Sequence, residues 1–324
     1  MLQPNDKEIS MSKKYEKTKS NIWPWAVGLA SLVIVILLFN TSNNAPSGGS
    51  GAYLTPASGL GDVHGLAVDV ADSSKVWIAS HRGLYALQND KDLYVVGSGR
   101  DDYMGFSAHP TDPKVFFSSG HPAAGGNIGF QKTTDTAKTW QHVSDGANGP
   151  VDFHAMAVSQ IDPNLMYGWY RGSLQRSTDG GQAWQLIDST LNSHQVVGLT
   201  TDSKDRNSVF ATTDTGILVS RDQSNTWSKL TETLGENLAT ALAINPANNQ
   251  ELLAYIQNQG LEKSSDGGRS WTKIETPLAS QMVMSISFDK NNPNTIYAVN
   301  QSLELYKSID SGGTWTEIRK LRNE

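Results

Sequence analysis

The feature that most constrains this chain is a short pattern that recurs at a nearly constant interval. In each copy a tryptophan follows an aspartate by five residues, and successive tryptophans are 44, 43, 44 and 44 residues apart. The pairs are Asp135 and Trp140, Asp179 and Trp184, Asp222 and Trp227, Asp266 and Trp271, and Asp310 and Trp315. Such regular spacing predicts an array of similar structural units.

A second pattern raises the number of units from five to six. Turn-like segments separate two short apolar runs at ADSSK, PTDPK, QIDPN, SKDRN, PANNQ and KNNPN. The first unit, about residues 61–99, keeps only Asn89, Asp90 and Asp92 where the aspartate–tryptophan pattern would lie. Six units of about 44 residues therefore account for nearly all of residues 61–319.

Within a unit, the apolar runs have the length of β-strands and are separated by turn residues. In the third unit we predict four antiparallel strands over residues 154–158, 165–169, 173–177 and 184–187. Four short strands in a unit of this size are typical of one propeller blade. The sequence therefore predicts an all-β, six-bladed β-propeller over residues 52–324.

The aspartate segment lies between the third and fourth predicted strands, where it suits a hairpin. A carboxylate there accepts hydrogen bonds from turn amides, glycine adopts positive φ, and the tryptophan covers the sheet. We therefore predict a structural role for these residues. The pattern S-x-D-x-G-x-T-W resembles the Asp-box, or bacterial neuraminidase repeat, of sialidases, sortilin-type receptors and photosystem II assembly-factor propellers. Because the repeat occurs in enzymes and binding proteins alike, the resemblance implies a fold and no particular activity.

The N-terminal region predicts a membrane anchor. Residues 22–39 are uncharged and long enough to cross a bilayer as a helix, and five lysines precede them. We predict a cytoplasmic basic leader at residues 1–21, a transmembrane helix at 22–39 and a flexible linker at 40–51. The propeller would then be extracytoplasmic, attached by a single-pass signal-anchor. A cleaved signal peptide is the alternative.

Composition narrows the function classes. Because the chain has no cysteine, a disulfide framework, a thiolate metal site and a cysteine nucleophile are excluded. The formal net charge is -6, and the sequence contains no basic patch or phosphate-binding glycine loop, so we predict no nucleic-acid partner. A cysteine-free external domain behind an N-terminal anchor is typical of a bacterium.

Four histidines are predicted to share one rim of the propeller. In a four-stranded meander, the start of strand one and the turn between strands two and three lie at the same end of the blade. His64 and His154 fall at the start of strand one, whereas His81 and His121 fall in the turn between strands two and three. The four imidazoles should therefore converge at one mouth of the central channel.

This rim predicts a binding site with three possible chemistries. Together with Asp62 and Asp152, the four histidines form a tentative site for a divalent transition metal such as Zn, Mn, Ni or Cu. An acid/base patch is a second reading. In the third, the histidines only satisfy loop amides or bind water. The predicted ligand-binding residues are His64, His81, Arg82, Tyr103, His121, His154, Trp169 and Arg171.

The leading functional prediction is a membrane-anchored binding module for an extracellular protein, a peptide or an envelope glycan. The strings DVHGLAVD, SHRGLYAL, DDYMGFSAHP, SSGHPAAGG and VDFHAMA resemble a family of exported, membrane-tethered bacterial Asp-box propellers that are often labelled glycosylhydrolases. That resemblance implies that the histidine rim is the distinctive feature. The alternative is a metal-dependent or glycosidase-like hydrolase that uses the same rim.

Sialidase chemistry is disfavoured, and no catalytic residue is assigned. That chemistry needs an arginine triad, a tyrosine nucleophile with a glutamate partner, and an acid/base aspartate. The candidates are Arg82, Arg100 and Arg171 for the triad, Tyr103 or Tyr170 for the nucleophile, and Glu236 for its partner. The Phe/Tyr-Arg-Ile-Pro string that usually opens a sialidase domain is absent.

Overall fold

The computed structural model describes residues 53–322, which form a ring of six antiparallel β-sheets. Blade 1 contains β1 (Leu54–Pro56), β2 (Val63–Val68), β3 (Lys75–Ser80), β4 (Gly83–Gln88) and β5 (Asp92–Val96). Blade 2 and its rim ribbon contain β6 (Asp102–Tyr103), β7 (Ser107–Ala108), β8 (Phe116–Ser118), β9 (Gly120–His121), β10 (Phe130–Thr133) and β11 (Gln141–Ser144). Blade 3 contains β12 (Ala155–Val158), β13 (Met166–Tyr170), β14 (Ser173–Ser177) and β15 (Gln185–Ile187).

The remaining three blades repeat the same four-stranded meander. Blade 4 contains β16 (Val196–Thr201), β17 (Val209–Thr213), β18 (Gly216–Ser220) and β19 (Ser228–Lys229). Blade 5 contains β20 (Ala239–Ile244), β21 (Leu252–Ile256), β22 (Gly260–Ser264) and β23 (Thr272–Ile274). Blade 6 contains β24 (Val283–Phe288), β25 (Ile296–Asn300), β26 (Glu304–Ser308) and β27 (Thr316–Lys320). Two 3-10 turns, η1 (Thr190–Ser193) and η2 (Pro277–Ser280), precede blades 4 and 6.

The predicted six-bladed, all-β propeller is confirmed, and the strands of blade 3 agree with their predicted bounds to within one residue at each end. The predictions for residues 1–51 lie outside the described residues. Within residues 53–322, no helix has the length and apolar character needed to cross a bilayer. Residues 53–322 belong to one compact unit with its own internal contacts.

Each sheet is packed on both faces, which explains why the strands read as almost continuous apolar runs. The layer between blades 1 and 6, for example, contains Ile78, Leu87, Tyr297 and Leu305, all of them buried. Burial of such layers at six interfaces supplies the main stabilisation of the ring. The inner strands line the channel, and their starting ends define the rim described below.

The repeated aspartates stabilise the hairpins between the third and fourth strands. In blade 6, the Asp310 carboxylate accepts hydrogen bonds from the Thr314 amide at 2.8 Å and from the Ser308 hydroxyl at 2.8 Å. The Trp315 indole donates to the Gly312 carbonyl at 3.0 Å. Hydrogen bonds of this kind lower the pKa of Asp310 to about 2. The same Asp–amide bond occurs at all five positions, in agreement with the predicted structural role.

The hairpin of blade 4 carries avoidable strain. The residue two after the aspartate is glycine in three hairpins and Ala137, with φ of +60°, in blade 2, but it is Ser224 in blade 4, with φ of +74°. Its side chain is fully buried, and its hydroxyl finds no hydrogen-bond partner within residues 53–322. We expect Ser224→Gly to raise the free energy of unfolding by about 1 kcal/mol, since it removes both costs. Thermal unfolding monitored by circular dichroism tests this; an unchanged or lower melting temperature would contradict it.

Blade 1 has lost the repeated hairpin, and its turn instead contributes to ring closure. The Asp90 carboxylate accepts a hydrogen bond from the Lys307 ammonium at 2.6 Å and another from the Tyr297 hydroxyl at 2.7 Å. Both donors belong to blade 6. The remnant of the first repeat therefore links the two ends of the propeller.

Candidate functional site

Three aspartates occupy the same position in blades 1, 2 and 3, just before the innermost strand. Asp62, Asp102 and Asp152 open the segments DVHGLAV, DYMGFSA and DFHAMAV. Because strand one starts at the rim that also carries the turn between strands two and three, each carboxylate lies near the turn of a blade. The register confirms this placement in blade 2, where Asp102 of β6 pairs with His121 of β9.

The first trio consists of His64, His81 and Asp102. His81 Nδ1 lies 2.5 Å from Asp102 Oδ2, and His64 Nε2 lies 3.2 Å from Asp102 Oδ1 without forming an aligned hydrogen bond. The two imidazole rings meet edge to face at 4.3 Å. Burial lowers the pKa of His64, although the Asp102 carboxylate opposes this. The first trio is therefore a recessed cluster at the boundary of blades 1 and 2.

The second trio consists of His121, Asp152 and His154. Both Nε2 atoms approach the same carboxylate oxygen, Asp152 Oδ2, at 2.9 Å for His121 and 2.7 Å for His154. Asp152 is only 3% exposed, whereas the His154 side chain is 62% exposed. The hydrogen bond to Asp152 raises the pKa of His154. This trio thus combines a buried carboxylate with two accessible imidazoles.

The two trios share one design. In each, the aspartate of one blade contacts the turn histidine of the preceding blade, which gives the pairs His81–Asp102 and His121–Asp152. A histidine from the start of an innermost strand completes each trio. All four predicted histidines therefore lie at one rim, and each of them contacts a carboxylate.

A cavity of about 330 Å³ lies on the propeller axis, lined by the innermost strands of all six blades. His64 and His154 reach this cavity from the rim. At the equivalent position blades 4 and 6 carry Val197 and Met284, which are exposed although apolar. The histidines of this rim thus lie on one side of the mouth, opposite exposed apolar side chains of blades 4 and 6.

The structure places two predicted contact aromatics away from the rim surface, which corrects those predictions. Tyr103 is 2% exposed and stacks on Trp140 at 5.0 Å, and burial raises its pKa well above the usual range. Trp169 is 7% exposed and packs in the layer between blades 3 and 4. Large aromatic rings next to the first or last residue of a strand gain more from the interblade core than from solvent.

Three other predicted rim residues are accessible. Arg82 and Arg171 are exposed in the turns between strands two and three of blades 1 and 3. The Arg171 guanidinium lies over the Tyr170 ring at 5.0 Å, and Asn127 donates a hydrogen bond to the Tyr170 hydroxyl at 2.7 Å. Asp62 is largely exposed and lies 3.5 Å from His81 Nε2, at the edge of the first trio.

The residues needed for sialidase chemistry do not come together. Arg100 donates to the Gly99 carbonyl at 2.6 Å, and Glu236 pairs with Lys229 at 2.9 Å on an exposed loop of blade 4. Tyr103 is buried, as described above. In the contacts observed within residues 53–322, neither predicted tyrosine is therefore paired with Glu236.

Asp102 is the main functional candidate that the sequence prediction missed. Its signal was present, because Asp62, Asp102 and Asp152 align when the three segments are superposed on their strand pattern. In blade 2 the histidine position is occupied by Met104, which hid the correspondence. The carboxylate therefore serves the histidines of the preceding blade instead of one in its own segment.

Comparison with known proteins supports the fold. The sequence matches no protein-family model and no curated protein. It is similar in structure to an ancestral GH74 enzyme, with a TM-score of 0.57 and 15% identity over 85% of this chain and 41% of the enzyme. For the GH74 xyloglucanase of Xanthomonas campestris, the TM-score is 0.57 and the identity 14%, over 84% of this chain and 57% of the enzyme. For YCF48 bound to D1 peptide, the TM-score is 0.53 and the identity 12%, over 83% of this chain and 87% of YCF48.

These likenesses show a shared propeller fold. The chain spans about half the length of the GH74 enzymes it resembles, whereas it covers most of YCF48. Function must be argued from the rim itself.

Proposed function

We propose that this chain is a binding propeller of the Asp-box type, held outside the membrane by residues 22–39, and that it recognises an acidic peptide segment of a protein partner. The observation that carries this proposal is the arrangement of charge at the rim of blades 1 to 3. Exposed imidazoles and two arginines face solvent, while Asp102 and Asp152 are recessed behind them and Asp62 lies exposed at the edge of the first trio. Donors at the front of a surface favour a carboxylate-bearing ligand.

Three further features support binding over hydrolysis. Glycoside hydrolysis uses two carboxyl groups that flank the scissile bond. Here Asp102 and Asp152 are recessed, and each faces two imidazoles instead of a substrate-binding space shared with another carboxyl group. The hydroxyl of the half-buried candidate Tyr170 accepts a hydrogen bond from Asn127. A propeller of this fold, YCF48, has a structure bound to D1 peptide. The membrane anchor is supported by the uncharged stretch of residues 22–39 and the lysines that precede it.

Peptide selection tests the proposal. A random peptide library displayed on phage is panned against a fragment of residues 47–324 in buffer with EDTA, and the affinities of the selected peptides are measured by fluorescence anisotropy. We expect enrichment of acidic sequences, with Kd at least tenfold higher for Arg171→Ala than for the unmodified fragment, because an exposed guanidinium is a strong carboxylate donor. The melting temperature should stay within about 1 °C.

The matched control is Lys204→Ala, which removes an exposed cation from the opposite rim in blade 4. Peptide affinity should change less than twofold in this variant. Selection of peptides that lose affinity with Lys204→Ala but not with Arg171→Ala would place the binding surface on the other rim. Recovery of no binding peptide would reject peptide recognition.

A further inference from the structure

We infer that the second trio, His121, Asp152 and His154, is a binding site for a divalent transition metal ion of the Zn²⁺ type. One ligand atom from each residue lies within 4.8 Å of the other two. Two imidazole nitrogens and one carboxylate oxygen form a donor set that suits Zn²⁺ and excludes the hard, oxygen-only coordination of Mg²⁺ or Ca²⁺. This inference goes beyond peptide recognition and does not depend on it.

The orientation of His121 prepares Nε2 to act as a metal ligand. Its Nδ1 lies 2.6 Å from the Gly126 carbonyl oxygen, which can only accept a hydrogen bond, so Nδ1 carries the proton. In the neutral ring, Nε2 therefore points a lone pair at Asp152. A backbone carbonyl on the distal nitrogen is the usual way in which proteins fix the tautomer and direction of a metal-binding histidine.

The Asp152 carboxylate is under-satisfied without a cation. Its Oδ2 faces two imidazole nitrogens, and its buried Oδ1 has no hydrogen-bond partner among residues 53–322. The carboxylate is nearly inaccessible to water, so its charge must be compensated by the groups around it. A divalent ion placed between the three ligand atoms would compensate that charge. It would also separate the Nε2 lone pair of His121 from the lone pairs of the Asp152 carboxylate.

The geometry needs only a small adjustment to accept the ion. Metal–ligand distances of about 2.0–2.2 Å place tetrahedral ligand atoms roughly 3.3 Å apart. The two nitrogen–oxygen distances are 2.9 and 2.7 Å, so the imidazoles must move outward by about half an ångström. Both rings are accessible at the rim and can do so, while burial holds Asp152 in place. Three protein ligands leave a fourth position open.

The first trio is a weaker candidate despite its similar residues. The two ring nitrogens of His81 face different carboxylates, Asp102 at 2.5 Å and Asp62 at 3.5 Å, so neither nitrogen is set aside by a neutral acceptor. No backbone carbonyl fixes its tautomer in the contacts observed within residues 53–322. This difference assigns the metal to the second trio and makes the first trio an internal comparison.

Isothermal titration of the 47–324 fragment with ZnCl₂ tests the inference, after removal of metal with EDTA and dialysis. We expect saturable binding that His154→Ala weakens more than tenfold, since this variant removes one of three ligands. His154 is exposed, so the variant should fold; circular dichroism checks this. Titration with Co²⁺ should give a visible absorption band, typical of tetrahedral nitrogen and oxygen coordination, that disappears in His154→Ala.

His142→Ala is the matched control. His142 is another exposed histidine, with Nδ1 3.0 Å from the Ile128 carbonyl oxygen and Nε2 3.2 Å from the Asp145 carboxylate. Unlike His154, it shares its carboxylate with no second histidine in the contacts observed within residues 53–322. Its replacement should leave Zn²⁺ affinity within twofold. The inference is overturned if the unmodified fragment does not bind Zn²⁺ at 100 µM, or if His154→Ala binds as well as it does. Loss of binding in Asp102→Asn with full binding in His154→Ala would also overturn it, in favour of the first trio.

Discussion

Gly181→Ala is expected to lower the free energy of unfolding by roughly 3 kcal/mol, through overpacking and the positive φ. Gly181 has φ of +87°, and a Cβ atom there would lie 2.0 Å from Cε1 of Phe130. The Phe130 ring cannot move away easily, because it is fully buried between Phe117 at 6.0 Å and Trp184 at 5.2 Å. The melting temperature should fall by roughly 6–12 °C.

Gly172→Ala separates the two causes of this loss. Gly172 has a similar φ of +77°, but no atom lies within 4 Å of the position that a Cβ atom would take there. It should therefore show only the backbone cost, about 1 kcal/mol. Chemical denaturation of both variants gives the comparison. If the two variants lost equal stability, the hairpin that contains Gly181 in blade 3 would not pack against Phe130 of blade 2.

Asp90→Ala should destabilise the propeller by about 3 kcal/mol, because two hydrogen bonds between blades 1 and 6 are lost and their donors remain partly buried. Lys307 and Tyr297 both donate to this carboxylate, and the Lys307 ammonium also lies 5.1 Å from the centre of the Tyr297 ring. Burial is the largest cause that raises the pKa of Tyr297 to about 12, so its hydroxyl stays protonated as a donor. Urea denaturation measures the loss.

Two further variants serve as controls for Asp90→Ala. Asp90→Asn keeps a residue that tolerates the local φ of +58° and a hydrogen-bond acceptor, so it should lose about half as much. Asp92→Ala removes an exposed carboxylate in the same hairpin and should change stability by less than about 0.5 kcal/mol. If Asp90→Ala proves no worse than Asp92→Ala, ring closure does not depend on this contact.

The fold was predictable because six units of the sequence repeat the same order of apolar runs and turn segments. The spacing of Asp135, Asp179, Asp222, Asp266 and Asp310 marks one turn per blade, and the strand bounds follow from the apolar runs between turns. Even the degenerate first unit was recognisable from its turn segment. Its role could not be predicted, because the partners of Asp90 lie more than 200 residues away in the chain.

The candidate site was predictable in position and less so in composition. Alternation of rims in a meander placed His64, His81, His121 and His154 together without any knowledge of side-chain direction. Side-chain direction is the information that sequence lacks. Tyr103 ends β6 and Trp169 is the next-to-last residue of β13, yet their rings turn into the interblade layers. Asp102 was missed because it acts on the neighbouring blade.

Hydrogen exchange of the 47–324 fragment, with and without a selected acidic peptide, tests the central claim that the rim of blades 1 to 3 is the binding surface. Bound peptide should protect backbone amides in residues 62–64, 81–82, 121–127, 152–154 and 171–172. The opposite rim should exchange at an unchanged rate. Protection confined to the opposite turns, at residues 70–74, 109–114, 160–164 and 203–207, would contradict the account.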